Sequence, residues 1–294
     1  MPYQIAGIGE ILWDVFPDGA RFGGAPANFA CSAASLAGTQ ANVSMISAVG
    51  DDTLGQQAID ALQRRKVKTS MVQTSRHPTG RVLVELDQAG VASYRFDEDS
   101  AWDHLNWSDD LSKFAEKCDA ICFGTLGQRS KTSLKTINQL LEELPESALR
   151  ILDVNLRAPF FNDNLILASL SMANVLKLNS DELPHIARLH SLTGSDLDIM
   201  QRLASTYQLR CVALTRGAEG AVIVAGDAVS ELPGMVVDVV DTVGAGDAFT
   251  ASLILDLLTD QSIDTINQRA IATASYACTM PGATMPFPLH LRRH

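Results

Sequence analysis

Short apolar runs recur along the chain, separated by stretches in which apolar residues follow a helical spacing. The runs resemble buried parallel strands and are YQIAGIG (3–9), ANVSMISAVG (41–50), DAICFG (119–124), RILDVN (150–155), NVLKLN (174–179), RCVALT (210–215) and GAVIVAG (220–226). Between the first two, APANFACSAASLAG places Phe29, Ala33 and Leu36 on one helical face, with Gly38 at its end. TSLKTINQLLEEL and SDLDIMQRLASTY separate later runs in the same way. This alternation predicts an α/β fold with a mostly parallel sheet flanked by helices on both faces.

Two segments break the alternation. Residues 80–96, GRVLVELDQAGVASYRF, predict two antiparallel strands joined at DQAG, because Val82 and Val84 alternate with mostly polar neighbours. Residues 11–22, ILWDVFPDGARF, predict another small hairpin. We interpret both as a small antiparallel β lid that is inserted into the body and is not an independent domain. The predicted division is 12–22 and 71–105 for the lid, and 1–11, 23–70 and 106–294 for the α/β body.

Composition and charge narrow the class of protein. The 294 residues carry a net charge of -11, which argues against binding to the phosphate backbone of nucleic acid. Five scattered cysteines form neither a disulfide framework nor a zinc pattern, so we expect them to be reduced. The N-terminus lacks the features of a signal peptide, and no run approaches the roughly 20 apolar residues of a membrane span. These features predict a cytoplasmic protein.

Glycine-rich stretches suggest an anion site. GIGE and GAGDAF each contain Gly-x-Gly, but Leu12 and Phe249 stand where a dinucleotide fingerprint needs its third glycine, which disfavours an oxidoreductase. The chain has no Gly-Lys pair, which excludes a P-loop. DTVGAGDAF (241–249) instead fits a helix N-terminus whose unsatisfied backbone N–H groups bind an anion. The alternative is that Asp247 only caps this helix.

Five motifs, in order, give the chain a recognisable pattern. DTVGAGDAF resembles the C-terminal signature of the ribokinase-like (PfkB) family of carbohydrate kinases, and GGAPANFA with VGDDTLG resembles its N-terminal signature. DVNLR, NSDE and TRGAEG are similar to three further landmarks of the family between them. Within the family, GEILWDVFPDG and the PTG…AWDHL region look most like fructokinases. The resemblance implies a ribokinase-like fold and the ATP-dependent phosphorylation of a sugar hydroxyl.

The resemblance also assigns the chemistry of the glycine-rich helix start. The amides of Gly244, Ala245 and Gly246 would form an anion hole for the moving γ-phosphoryl group. Asp247 would accept the proton of the attacking hydroxyl. We expect the helix N-terminus to favour the ionised form of this carboxylate.

Three motif residues would handle phosphate and magnesium. Arg157 of DVNLR matches a phosphate-contacting arginine, although an ion pair with Asp153 would also explain it. Asn179 of NSDE would lie against ATP, and Glu182 would organise Mg²⁺ through water. The alternative for NSDE is helix capping by Asn179 or Ser180.

The remaining nucleotide and cation assignments have little side-chain signature. By resemblance, Thr215, Gly217 and Gly220 of TRGAEG lie against the nucleotide. Family members often bind a monovalent cation such as K⁺, which would here use carbonyls near Asp241 and the TMPGA loop.

The sugar site is predicted from the N-terminal motifs and the lid. Asp14, Gly24 and Asn28 match polyol-binding positions, since a carboxylate and an amide suit a vicinal diol. Local helix capping is the alternative for Asn28. Phe96 and Trp102 would supply an apolar wall when the lid closes.

The predicted substrate is D-fructose, with ribose, a nucleoside, a sugar acid or a phosphosugar as alternatives within the same chemistry. An uncharged sugar is favoured because Arg21 is the sole Lys or Arg within residues 1–60. Arg76, Arg81 and Arg95 leave the phosphosugar alternative open. A catalytically inactive sugar- or nucleotide-binding homologue is the rival from another class. A homodimer joined through the lids is a further prediction.

Overall fold

The computed structural model describes residues 1–86 and 92–293. The strands are β1 (Tyr3–Ile8), β2 (Leu12–Phe16), β3 (Gly19–Gly23), β4 (Ala41–Gly50), β5 (Val72–Ser75), β6 (Gly80–Leu86), β7 (Ala92–Phe96), β8 (Ala120–Phe123), β9 (Leu149–Asp153), β10 (Val175–Asn179), β11 (Cys211–Thr215), β12 (Ala221–Ala225) and β13 (Ala228–Leu232). The helices are α1 (Ala25–Ala37), α2 (Thr53–Arg64), α3 (Asp109–Ala115), α4 (Lys131–Glu143), α5 (Asp163–Met172), α6 (Leu183–Leu189), α7 (Asp196–Tyr207), α8 (Ala245–Leu257) and α9 (Ile263–Cys278). Single 3₁₀ turns occur at Ala101–His104, Leu126–Gln128, Gly217–Glu219 and Leu289–Leu291.

Nine strands form the central sheet in the order β13-β12-β11-β10-β9-β8-β1-β4-β5. The seven neighbouring strands β11, β10, β9, β8, β1, β4 and β5 are parallel. At one edge, β12 pairs antiparallel with β11, and β13 pairs antiparallel with β12. The predicted α/β class with a mostly parallel sheet is therefore confirmed. Within the described residues, no helix combines the length and apolar character needed to cross a bilayer.

Alternate residues of the central strands enter two separate cores, one on each face of the sheet. In β1, Ile5 packs with α1, α2, α8 and α9, while the next residue, Ala6, packs with residues of α3 to α7. Both residues are fully buried. Burial on both faces explains why these strands are apolar runs and do not alternate with polar residues.

The lid is a second sheet of four strands in the order β3-β2-β6-β7. Both predicted hairpins are present, since β2 pairs with β3 and β6 with β7 in antiparallel register, while β2 and β6 pair in parallel. Val82 and Val84 are buried, as their alternation predicted. The predicted turn at DQAG, residues 87–90, lies outside the described residues.

The lid's strands come from a narrower range than the sequence suggested. The predicted lid segment 71–105 includes β5, but β5 pairs with β4 in the central sheet. At the other end of this segment, Ala101 is fully buried and Trp102 nearly so. Both ends of the segment therefore join the body, and the lid sheet itself comprises 12–23, 80–86 and 92–96.

Candidate active site

Several chemically active side chains meet at the carboxyl-terminal edge of the central sheet. Glu10 follows β1, Asp153 ends β9, and Asp247 lies in the first turn of α8. These three carboxylates line a small cavity of about 10 Å³, enough for about one water molecule. Ligands bind at this edge in open α/β sheets because loops and helix N-termini converge there.

The start of α8 depends on a glycine in a left-handed conformation. Gly244 has φ +79°, and a Cβ at this position would lie 2.7 Å from Ala283. The amide of Ala245 donates to the carbonyl of Thr242 at 3.3 Å, so this member of the predicted anion hole already has a partner. The conformation nevertheless brings the first turn of α8 to the edge of the sheet, with Asp247 in that turn.

Asp247 contacts the opposite helix of the site. Its Oδ2 accepts a 2.9 Å hydrogen bond from Nδ2 of Asn28, which lies in the first turn of α1. The side chain is thus held by a residue 219 positions away, an arrangement that capping of α8 would not require. The same bond disfavours local capping as the purpose of Asn28.

The electrostatics of Asp247 differ from the sequence-based expectation. Burial, together with the neighbouring carboxylate of Asp153, raises the pKa of Asp247 to about 7, against the lowering effects of Asn28, Lys177 and Arg157. The helix N-terminus was expected to favour the ionised form, but burial has the larger effect. A carboxylate that titrates near neutrality is well matched to accepting a proton from an alcohol.

A buried ion pair lies beneath the start of α8 and was not recognised in the sequence. Lys177 Nζ contacts Asp153 Oδ1 at 3.0 Å, and Asp153 Oδ2 accepts a hydrogen bond from Thr250 at 2.8 Å. A Cβ added to Gly246 would lie 3.0 Å from Lys177 Nζ, so the ammonium group is adjacent to this glycine. The available signal was a lysine in the middle of an apolar strand, VLKLN, since a buried lysine requires a specific partner.

Glu10 is a second group that the motifs did not single out. It is 3% exposed; its Oε1 accepts from the amide of Ala25 at 3.2 Å, whereas its Oε2 is buried without a hydrogen-bond partner among the described residues. Burial raises the pKa of Glu10 to about 7, and Asp247 contributes in the same direction. An acidic residue directly after the first buried strand was the signal in the sequence.

The residues predicted to bind the sugar lie beside the carboxylates of Glu10 and Asp247. Gly24 has φ +107°, and a Cβ there would approach the carbonyl oxygen of Glu10 to 2.5 Å. Burial raises the pKa of Asp14, in β2, to about 6, although Arg157 and Arg21 oppose this shift. Oδ1 of Asn28 is buried without a hydrogen-bond partner in the part of the chain that is described. The site therefore offers polar atoms that a hydroxyl group could satisfy.

Arg157 is exposed on the loop after β9. Its guanidinium donates to the carbonyl of Leu156 at 3.1 Å, while the ion pair of Asp153 is made with Lys177. The alternative of an Arg157–Asp153 pair is therefore not what the structure shows. Arg157 does lower the pKa of Asp14 and Asp247, which indicates that its charge acts on the site.

The NSDE motif forms a compact hydrogen-bonded turn at the end of β10. Asn179 Oδ1 accepts from the amides of Asp181 and Glu182, so Asn179 stabilises the turn before α6, whose N-cap residue is Glu182. The two oxygens of Glu182 accept from the amides of Leu156 and Asn179 at 3.0 and 2.9 Å. Burial raises the pKa of Glu182. Because both oxygens already accept hydrogen bonds, Mg²⁺ would fit here through bridging water, as the sequence predicted.

The lid residues occupy different environments. Trp102 is 2% exposed, and the guanidinium of Arg129 lies 4.0 Å from its ring centroid. Phe96 is half-buried and contacts Phe160 edge-to-face at 5.2 Å. Protein atoms thus already cover Trp102, and its part in a sugar wall stays a prediction.

TRGAEG joins two antiparallel strands, β11 and β12. Thr215 ends β11, and Gly217 and Gly220 have φ +57° and +95°. A Cβ at Gly220 would come within 2.1 Å of the carbonyl of Leu232, which explains the glycine by packing alone. The contacts of these residues with a nucleotide stay predictions.

Asp241 ties the loop before α8 to the loop after α9. Its Oδ1 accepts from the amide of Val243 and its Oδ2 from the amide of Gly282, both at 3.0 Å. These bonds hold the DTVGAG and TMPGA segments together, as a shared cation site would require.

Comparison with known proteins identifies the family. Residues 18–289 match the pfkB family of carbohydrate kinases. The chain belongs to this family. It is 31% identical to a fructokinase of Escherichia coli, covering 96% of this chain and 95% of that protein. It is 30% identical to a fructokinase of Salmonella typhimurium, covering 85% and 83%. The solved structure of an uncharacterised sugar kinase of Pyrococcus horikoshii matches with a TM-score of 0.81 at 25% identity, covering 96% and 93%.

Family membership confirms the ribokinase-like fold and the kinase class. This carbohydrate kinase resembles fructokinases, as GEILWDVFPDG suggested. A second structure of the Pyrococcus horikoshii kinase is a complex with ATP, with a TM-score of 0.79 and 26% identity.

Proposed function

We propose that this kinase transfers the γ-phosphoryl group of ATP to a hydroxyl group of an uncharged sugar, with D-fructose as the first candidate. The observation that carries the proposal is the half-buried carboxylate of Asp247, which lies in the first turn of α8 and accepts a hydrogen bond from Asn28 of α1. The fructokinases among its relatives support the choice of sugar. We further propose that it acts in the cytoplasm, where ATP is available.

Each group at the site has a role in this reaction. Asp247 takes the hydroxyl proton as the sugar oxygen bonds to the γ-phosphorus and ADP leaves. Gly244 and Gly246 allow phosphate oxygens to approach the helix start, and the ammonium of Lys177 adds positive charge beneath it. Arg157 is exposed and free to reorient towards phosphate. Asp14 and Asn28 bind sugar hydroxyls, Phe96 contributes an apolar contact from the lid, and Trp102 contributes one from the body.

Two cations belong to the proposal. Mg²⁺ would neutralise phosphate charge, and Glu182 with Asn179 would hold its water ligands. K⁺ would bind near Asp241, and replacing K⁺ by choline in the assay should then lower activity.

Thr215, Gly217 and Gly220 would lie against the nucleotide.

An uncharged acceptor suits the charges near Asp14. The cations that act on its pKa are Arg157 and Arg21, and Arg21 already pairs with Asp18 at 3.0 Å. Arg81 pairs with Asp97 at 2.7 Å. With Arg157 assigned to ATP and both Arg21 and Arg81 already paired, a phosphosugar dianion would have to rely on Arg76 and Arg95.

The test is a substrate panel assayed for ADP release with MgATP. Fructose, ribose, a nucleoside, a sugar acid and fructose 6-phosphate should be compared by kcat/KM, and the product identified by NMR. We expect a neutral sugar to be preferred. A far higher kcat/KM for fructose 6-phosphate would refute the uncharged acceptor. Sugar binding without ATP consumption across the panel would favour the inactive homologue.

We also propose a homodimer formed through the lid sheets. Small sheets gain stability when a partner covers their free face. Sedimentation at micromolar concentration tests this, and a purely monomeric species would contradict it.

A further inference from the structure

Two histidines and an aspartate come together at the base of the lid, away from the catalytic edge. His77 lies between β5 and β6, on the segment that enters the lid. Asp99 and His104 follow β7, on the segment that returns to the body. The cluster therefore joins the two connections between lid and body.

The ligand atoms of the three side chains lie close together. His77 Nδ1 is 3.1 Å from Asp99 Oδ2, and His104 Nε2 is 2.5 Å from Asp99 Oδ1. One ligand atom from each residue lies within 4.8 Å of the other two. Ligands of a tetrahedral metal at about 2.0–2.1 Å are separated by about 3.3 Å, which is comparable to the spacing of these atoms, and the two imidazoles would rotate out of their stacked arrangement to bind one ion.

Ion pairs of the two histidines with Asp99 do not by themselves explain how closely the two imidazoles pack. Their rings stack with centroids 3.5 Å apart and an interplanar angle of 10°. Two protonated rings at this distance would repel each other, and one carboxylate neutralises only one of them. A metal ion shared by the three side chains would compensate this close approach, since imidazole binds metal in its neutral form.

We propose that His77, Asp99 and His104 form a binding site for a divalent transition-metal ion of the Zn²⁺ type. Two imidazoles and one carboxylate favour Zn²⁺, Co²⁺ or Ni²⁺ over Mg²⁺, which prefers oxygen ligands and retains its water. The side chain of Asp99 is 67% exposed, so solvent can supply the fourth ligand. This ion is distinct from the Mg²⁺ of the phosphoryl transfer.

The site would restrain the lid. Its ligands bracket β6 and β7, and Ala101, between Asp99 and His104, already donates to the carbonyl of Pro78 at 2.7 Å. A metal ion would add a second link between the entering and the returning segments. Bound metal should therefore slow hydrogen exchange in β6 and β7.

The test is titration of the untagged, chelator-treated full chain with Co²⁺, followed by visible absorption, in the absence of ATP and sugar. We expect one equivalent to bind with a tetrahedral Co²⁺ spectrum that Zn²⁺ abolishes by competition. His104→Gln and Asp99→Asn should each weaken binding at least tenfold. His185→Gln is the matched control, because among the described residues His185 forms its ion pair with one carboxylate, Asp163 at 3.8 Å, and this variant should bind Co²⁺ like the parent.

Circular dichroism of every variant shows whether it is folded, which separates the loss of a metal ligand from the loss of the fold. His104→Gln and Asp99→Asn each test the site independently. The proposal would be overturned if the parent failed to bind Co²⁺ at concentrations of about 100 micromolar. It would also be overturned if folded His104→Gln bound Co²⁺ as tightly as the parent. Because no substrate is present, failure here leaves the proposed kinase reaction unaffected.

Discussion

Asp247 and Asp256 lie on the same helix, α8, but Asp247 is half-buried and Asp256 is fully buried, and their surroundings are opposite. Asp256 accepts from Arg293 at 2.6 and 3.0 Å and from Arg269 at 3.0 Å. Asp247 accepts a hydrogen bond from one side chain among the described residues, the uncharged Asn28, and has Asp153 as a neighbour of like charge.

The difference separates a carboxylate that stabilises the fold from one that the proposed reaction would use. A buried carboxylate with two guanidinium partners holds the segments that carry those arginines in place. A buried carboxylate with little compensation has a raised pKa and is available for proton transfer. Substitutions at the two aspartates should therefore have opposite consequences for activity and stability.

The largest expected effect is on catalysis at Asp247. Asp247→Asn retains an oxygen that can accept from Asn28, so the fold should persist, but an amide cannot take the hydroxyl proton. We expect kcat to fall roughly 10²- to 10⁴-fold with ATP affinity held or slightly improved. Steady-state kinetics and ATP titration on the same preparation measure both. A folded variant with near-normal kcat would show that Asp247 only supports the helix.

The next effect is on stability at Asp256. Asp256→Asn leaves the buried guanidinium of Arg293 without a counter-charge, which should lower the free energy of unfolding by roughly 3–5 kcal/mol. Urea denaturation measures this, and kcat of the folded enzyme should stay close to that of the parent. Asp110→Asn is the control, because Asp110 is exposed and lies 3.8 Å from Lys113, a pair of little value. Equal losses for the two variants would contradict the proposed contrast.

A smaller effect of the opposite sign is expected for the stability of Asp247→Asn. The raised pKa means that the folded protein binds this proton more tightly than the unfolded chain, so ionisation destabilises the fold as the pH rises from 3.8 to about 7. Above pH 7 the neutral amide avoids this cost, and we expect a gain of about 1–3 kcal/mol at pH 8. The gain should vanish near pH 4. Thermal midpoints of both proteins across this range provide the measurement.

The smallest effect concerns the pH dependence of the rate. Since the base must be ionised, kcat/KM should rise about tenfold per pH unit below 7 and level off above it. Glu10→Gln removes a neighbouring negative charge, so the profile should move to lower pH. A profile that stays flat between pH 5.5 and 8 would count against Asp247 as the base.

The sequence predicted most of the central sheet because buried parallel strands are apolar on both faces. It missed β5 and β13, which lie at the two edges of the sheet. Edge strands have polar residues, as in VQTS, and so lack the signal. The lid hairpins were found because one face of each is apolar, but the parallel pairing of β2 with β6 joins distant segments and leaves no local pattern.

At the site, the ordered motifs identified the family and pointed to Asp247, Asn28 and Gly244 from their residue types. The contacts among them could not be predicted, because α1 and α8 meet only through tertiary packing. The same holds for Lys177 and Asp153, which sit on neighbouring strands but 24 residues apart. The expectation that the helix N-terminus favours ionised Asp247 was wrong for the same reason. The burial that raises the pKa of Asp247 arises only when helices and strands assemble at this edge of the sheet.

The ion pair of Lys177 with Asp153 has a consequence for the conformational entropy of nucleotide binding. An exposed basic side chain, such as that of Arg157, loses up to about 2 kcal/mol of rotamer freedom when it closes on a phosphate. Lys177 is already immobilised beneath Gly246 when the protein folds. Its charge is therefore in place before ATP arrives, and none of that entropy has to be lost again in each catalytic cycle.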